Sequence, residues 1–217
     1  YVSEQKYELD TKVPYILVSD IRKAMPYLGK LFFNDPSKEL NLIGVGGTKG
    51  KSTTAYYVKA IVDDYLASIG KKESAVISSI DVYDGVTKVE SHITTPENIE
   101  LLQHFRNAVD SDIDFLEMEV SSQALKYNRV DQITFDAAIF LNISEDHISP
   151  IEHPDFEDYF ASKLLMFKQT RYAVVNKDAD FAERIIEAAK ECERTITFST
   201  QDSQADVYGY ELEKDGH

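Results

Sequence analysis

Short apolar runs alternate with amphipathic stretches along most of the chain. The runs lie at residues 42–45, 74–78, 115–120, 137–143, 172–175 and 195–198 and carry mainly aliphatic and aromatic side chains. Runs of this length are strand candidates. Between them, helical periodicity predicts helices near 51–68, 97–109, 155–167 and 178–190. In the first, Ala55, Val58, Ile61, Val62, Tyr65 and Leu66 share one stripe at a 3.6-residue period. Strands alternating with helices predict βαβ units. The expected fold class is therefore α/β, with a mostly parallel sheet covered by helices on both faces. Residues 82–89, around Asp84-Gly85, predict a small hairpin set on that frame.

The first 37 residues break the alternation. A strand at 15–18 and a helix at 20–33 interrupted by Pro26 are expected, followed by a turn at Asn34-Asp35-Pro36-Ser37. Residues 1–37 read as the remnant of a preceding domain plus a linker, and 38–217 as the main domain. Residues 206–212 predict one more strand. A chain that starts at Tyr1 rather than Met is expected to be a processed product or an excised piece. It contains no internal repeat and no low-complexity tract.

The composition, 43% hydrophobic and 28% charged over 217 residues, excludes disordered and fibrous classes and allows a sizeable core. No apolar run approaches the roughly 18 residues of a membrane span, and no signal peptide is expected. Asp and Glu (38) outnumber Lys and Arg (23), for a net charge of −15. That argues against duplex nucleic acid or an anionic membrane as partner. An anionic small substrate would be repelled at long range, so any phosphate site must act locally, through backbone N–H groups, a few lysines and a divalent metal. The single cysteine, Cys192, excludes an internal disulfide and a cysteine-built zinc site and fits a reducing cytoplasm.

The strongest local signal is Gly44-Val45-Gly46-Gly47-Thr48-Lys49-Gly50-Lys51-Ser52-Thr53-Thr54. It follows an apolar run and opens a predicted helix, the context a phosphate-binding loop requires. Glycines let backbone N–H groups turn inward around oxygens, and the helix N-terminus adds partial positive charge. Lys51 is placed to reach the β/γ-phosphates and the Ser52 hydroxyl to ligate Mg²⁺. Val45 stands where the common G-x-x-x-x-G-K-[ST] form has its first glycine. The bland alternative is a flexible glycine turn before an ordinary helix. Strand, glycines, Lys-Ser and helix together outweigh it, so the chain is expected to bind a nucleotide. A GTPase would carry Asn-Lys-x-Asp after a late strand; Asn176-Lys177-Asp178-Ala179 ends in alanine, which counts against that class.

In a parallel α/β sheet, ligands collect at the carboxyl ends of the strands. Glu119 closes one apolar run, where it either holds a nucleotide's metal or faces solvent. His147 follows another in Ser144-Glu145-Asp146-His147, as a ligand or as an ordinary loop histidine. Lys163 is more unusual. It lies seven, four and three residues after Phe156, Tyr159 and Phe160, on the apolar stripe of its helix. Such a lysine snorkels to water, pairs with an acid or loses its proton; in the last case its amine is free for chemistry or modification. His92, His104, His153 and His217 show no ligand spacing.

Taken together these residues resemble the Mur ligases, ATP-dependent enzymes that add amino acids to the peptidoglycan precursor. Gly47-Thr48-x-Gly50-Lys51-Ser52-Thr53 matches the family's phosphate loop. Thr94-Thr95-Pro96-Glu97, Met118-Glu119-Val120-Ser121-Ser122 with Arg129-Val130, Asn142-x-Ser144-x-Asp146-His147 and Tyr159-Phe160-Ala161-Ser162-Lys163 follow in the family's order. The resemblance covers roughly residues 14–217 and is greatest to the branch that adds the third residue to UDP-N-acetylmuramoyl-L-alanyl-D-glutamate. Gly46 and Lys49 depart from the usual threonine and asparagine of the loop, Gln123 from a common histidine, and Ala179 from the second aspartate of an Asn-x-Asp-Asp motif.

The resemblance implies an ATP-dependent amide ligase of cytoplasmic precursor synthesis, with ATP and Mg²⁺ as cofactors. Its partners would be a UDP-MurNAc-dipeptide and an amino acid, with no nucleic acid, membrane or obligate protein partner. It implies ATP contacts from Gly47, Thr48, Lys49, Gly50, Lys51, Ser52, Thr53 and Asn176. Substrate contacts would come from Thr94, Thr95, Ser121 and Arg129. Metal contacts would come from Ser52, Glu119, His147 and a carbamylated Lys163. By the same resemblance the chain holds the central ATPase part without the domain that carries the incoming amino acid, so it is expected to bind ATP but not to ligate by itself. A folylpolyglutamate synthase-like ligase and a nucleotide-binding module without ligase activity are the alternatives.

Overall fold

All six apolar runs become strands of one sheet, because a parallel strand covered on both faces needs apolar side chains at successive positions. The computed structural model describes residues 1–8 and 13–211. Two short strands, β1 (Val2–Ser3) and β2 (Ile16–Leu17), form a separate parallel pair. Helix α1 (Ile21–Phe32) follows, then β3 (Asn41–Gly46), α2 (Lys51–Ser68), β4 (Ala75–Ile77), β5 (Asp81–Tyr83), β6 (Lys88–Glu90) and α3 (Asn98–Asp110). The second half contains β7 (Phe115–Glu119), α4 (Ser122–Lys126), β8 (Phe135–Phe140), α5 (Phe156–Leu164), β9 (Thr170–Asn176), α6 (Ala182–Ala189), β10 (Arg194–Ser199) and β11 (Val207–Tyr208).

The main sheet has the order β11-β10-β9-β8-β3-β7-β4-β5-β6. Pairing is parallel from β11 through β4, and the expected hairpin, β5 with β6, adds an antiparallel edge. Strand β3 is central: Val45 lies opposite Glu119 on β7 and Ile139 on β8. The chain leaves β3 toward β4 on one side and later crosses from β7 to β8 on the other. The crevice at the C-terminal end of β3 is thus the switch point where α/β sheets bind ligands.

Two buried clusters cover the sheet. The larger joins Leu42, Leu116, Met118 and Phe135 to Leu101, Leu102 and Phe105 of α3. The smaller packs Tyr159 and Phe160 of α5 and Ile185 of α6 against Phe140, Ala173 and Val175.

Several boundaries differ from the sequence reading. Helix α1 runs through Pro26 without a break. Asp20 caps it through Lys23 N, and Gly29 allows close packing on α3, where an added Cβ would lie 2.7 Å from Leu102 Cδ1. That packing, with Phe33 in the larger cluster, outweighs the one backbone bond the proline removes. Strand β8 ends at Phe140 rather than 143 because Asn142 turns to bind the loop after β3. The stretch 155–167 is α-helical only to Leu164 and then tightens into a 3-10 turn, Leu165–Gln169. Helix α6 starts at Ala182, not 178, because Asn176 Oδ1 accepts from Asp178 N and Phe181 adopts a left-handed backbone with φ 58°. Of the strand expected at 206–212, Val207–Tyr208 forms, and Leu212 lies outside the described residues. Among the described residues no helix is long and apolar enough to cross a membrane.

Candidate active site

The loop Gly47–Gly50 leaves β3 and enters α2 through two glycines with positive φ, 145° at Gly47 and 83° at Gly50. Gly50 takes the N-cap position with no side-chain cap, so the first N–H groups of α2 (Lys51, Ser52 and Thr53) have no acceptor within the helix. Unpaired N–H groups at this place are what an anion cradle would need. Asn142 holds it from the end of β8. Its Oδ1 accepts from Thr48 N at 3.0 Å and Lys49 N at 2.9 Å, and its Nδ2 donates to Lys49 O at 3.0 Å. Thr48 Oγ1 lies 3.0 Å from the Tyr159 hydroxyl and accepts from Ser144 N at 3.1 Å. Gly46 has a local reason: a Cβ there would lie 2.9 Å from Met166 Sδ.

Lys163 is 4% exposed, so of the outcomes open to it on the apolar stripe of α5 it does not snorkel to water, and its Nζ donates to Gly47 O at 2.8 Å. Burial, reinforced by the charge of Lys51, pushes its ammonium down to about 7, while Asp146 opposes the shift. Lys51 Nζ donates to Thr48 O at 3.2 Å, and burial holds its pKa below the usual lysine range against the pull of Glu119 and Asp146. Lys49 instead pairs outward with Asp146 at 2.8 Å.

On the other side of the loop, buried Glu119 accepts from Ser79 N at 2.8 Å and Ser79 Oγ at 3.0 Å. Ser79 Oγ is also 3.0 Å from Ser52 Oγ, so Ser52 and Glu119 are linked through one hydroxyl. Ser79 carried no motif and was missed in the sequence; only the register of β4 beside β7 places it there.

Lys51, Thr94, Ser121, Arg129, His147 and Lys163 line a single cleft. Thr95 is fully buried behind it, donating to Glu119 O at 2.9 Å and accepting from Ser121 N at 3.1 Å. Arg129 is held by Glu97 at 2.8 Å and by Thr95 O at 3.2 Å. Ser122, which also lines the cleft, contacts fully buried His153 Nε2 at 3.0 Å, and His153 Nδ1 lies 2.6 Å from Asp158. His153, read as bland from spacing, therefore ties α4 to α5. Asn176 lies at the end of β9, its Nδ2 donating to Leu141 O at 2.9 Å, and is not among the residues lining the cleft. Thr53 faces outward on α2.

The donor set suits a hard cation in part. The hydroxyls of Ser52 and Ser79 and the Glu119 carboxylate offer oxygens of the kind Mg²⁺ prefers. Among the described residues no group of three or more His, Cys, Asp or Glu side chains is placed to hold a metal. The unmodified Lys163 amine donates and does not suit a cation.

Residues 45–217 match the family described as Mur ligase middle domain. The UDP-N-acetylmuramyl-tripeptide synthetase of Bifidobacterium longum is 44% identical over 191 residues, covering 88% of this chain and 36% of that protein. The UDP-N-acetylmuramoyl-L-alanyl-D-glutamate--L-lysine ligase of Streptococcus pneumoniae is 40% identical over 204 residues, covering 94% of this chain and 41% of that protein. The chain thus spans about two fifths of the relatives it matches. Among solved structures, a UDP-N-acetylmuramoyl-L-alanyl-D-glutamate--2,6-diaminopimelate ligase superposes with a TM-score of 0.75 at 22% identity, covering 95% of this chain and 41% of that one; it supports the fold. With a family match across most of its length and relatives at 40% identity or more, the chain belongs to the Mur ligase family.

Proposed function

We propose that this chain is the ATPase core of a cytoplasmic ligase that adds the third amino acid to UDP-MurNAc-L-Ala-D-Glu. The observation that carries the reading is the meeting, in one cleft at the C-terminal end of β3, of two lysines, an arginine and a histidine beside a glycine loop. In a chain of net charge −15, this concentration of basic groups is local and suits two anionic substrates.

The triphosphate of ATP would lie against the N–H groups at the start of α2, with Lys51 on the β/γ-phosphates. Ser52 and Glu119 would hold Mg²⁺, which supplies charge neutralisation on the phosphates when bound. Thr94, Ser121 and Arg129 would seat the dipeptide substrate, with Thr95 braced behind them. A carboxylate oxygen of that substrate attacks the γ-phosphorus, the bond to ADP breaks, and an acyl phosphate forms. The amine of the incoming amino acid then bonds to the acyl carbon, inorganic phosphate leaves, and the nitrogen gives up its proton. Lys163, poised near neutrality, would add CO₂ to its free amine, releasing a proton and becoming an anionic carbamate able to meet a second metal with His147. Asn176 would stand near the adenine. Residues 1–37 would be the tail of a preceding domain and 38–217 the ATPase domain, although α1 and Phe33 pack on the latter.

The test is product formation by the full-length protein from ATP, UDP-MurNAc-L-Ala-D-Glu and either lysine or meso-diaminopimelate, read by mass spectrometry. Tripeptide product with one of them, lost about 100-fold or more in Lys163→Ala, is expected. Product from neither, or an unaffected variant, contradicts the reading. Residues 1–217 alone are expected to bind ATP without forming the amide.

A further inference from the structure

His147 lies between β8 and α5 with a left-handed backbone (φ 56°), and its ring lines the cleft beside Lys51 and Lys163. Its Nδ1 is 3.1 Å from Glu152 Oε1. The same oxygen accepts from Gln123 Nε2 at 2.9 Å. A carboxylate oxygen only accepts, so Nδ1 carries the proton; in the neutral ring, Nε2 keeps the lone pair. Nε2 has no hydrogen-bond partner among the described residues. Glu152 is itself anchored: its N–H donates to Ser149 Oγ at 3.1 Å and its carbonyl accepts from Lys126 Nζ at 3.1 Å.

We infer that Glu152, held by Gln123, is a positioning residue that fixes His147 as the Nδ1–H tautomer and presents the Nε2 lone pair to the cleft. The inference rests on the ligase reading, in which His147 would meet the second metal with the Lys163 carbamate; a carboxylate behind a metal-binding imidazole sets both ring orientation and tautomer. It also gives the side chain at position 123 a role, since the Gln123 amide N–H donates to the Glu152 carboxylate at 2.9 Å.

The test is a ¹⁵N long-range correlation spectrum of the 217-residue protein labelled with ¹⁵N-histidine, at about pH 8, where ordinary imidazoles are neutral. The Nδ1–H tautomer is expected for His147. Glu152→Ala should return it to the Nε2–H form that the free side chain prefers in water. Gln123→Ala should shift it part of the way, and Gln123→His should retain it. An Nε2–H tautomer in the unsubstituted protein overturns the inference. So does an Nδ1–H form that survives Glu152→Ala while the other histidine signals stay in place. Adding Mn²⁺ with a non-hydrolysable ATP analogue separates this inference from the ligase reading. Broadening of the His147 signals supports both. An Nδ1–H tautomer without broadening supports the positioning by Glu152 and counts against the metal role.

Discussion

Glu117 shows what burial does to a single side chain even with Lys59 nearby to oppose it. It is fully buried on β7, neither carboxylate oxygen has a partner, and burial raises its pKa from 4.5 to about 7. Below about pH 4.5 the folded and unfolded chains both hold its proton. Between about 4.5 and 7 the folded chain keeps a proton that the unfolded chain releases, so stability falls as pH rises through that window and then levels off. The full loss is about 3 kcal/mol at 1.36 kcal/mol per unit. Glu117→Gln should therefore raise Tm at pH 8 and change it little at pH 4.5; a variant equally or less stable at pH 8 would contradict the burial argument. Lys163 has the opposite chemistry. With a folded pKa of about 7 against an ordinary 10.5, the unfolded chain holds the extra proton between those values, so stability rises with pH across the window. In CO₂-free buffer, Lys163→Met should flatten that rise, as read from denaturant midpoints at pH 7 and 10; an unchanged slope would place the amine in water.

At the scale of elements, the loop after β3 is only as rigid as its contact with the end of β8. Asn142 provides three hydrogen bonds to that loop. Asn142→Ala should cost about 1–3 kcal/mol through the loss of these three bonds and should speed hydrogen exchange at Lys49, while Thr48 N keeps the backbone carbonyl of residue 142 at 3.1 Å. Exchange that stays slow would mean the glycine loop holds its shape by itself. Helix α1 offers a second check. Gly29→Val should destabilise the chain by about 1–3 kcal/mol, because its Cβ would press on Leu102; no loss would show that α1 is not tightly docked. The strands were legible because hydrophobic period reports burial: all six apolar runs became strands, and the stripe 156–167 correctly turned Lys163 inward, but on α2 the expected stripe failed, with Ala55 and Leu66 buried and Ile61 and Tyr65 exposed. What the sequence hid was set by contacts between distant segments. Continuity through Pro26 depends on α3, the early end of β8 on Asn142 reaching the loop, and Ser79 on strand register. His153 appeared bland because its partners Ser122 and Asp158 meet only when α4 and α5 pack together.

The whole molecule is an acidic α/β sheet that concentrates its few useful cations at one switch point. The P-loop, the Thr94–Thr95 segment, the start of α4 and the His147 loop all leave the same end of the sheet, which is why motifs far apart in sequence line one cleft. The central claim is that this cleft binds a triphosphate through Lys51. Calorimetric titration of Mg²⁺-ATP into the 217-residue protein and its Lys51→Ala variant tests that claim most directly. Saturable binding in the unsubstituted protein, weakened about 10- to 100-fold by the loss of one charged hydrogen bond, is the result expected. No binding, or equal affinity in the variant, would contradict it.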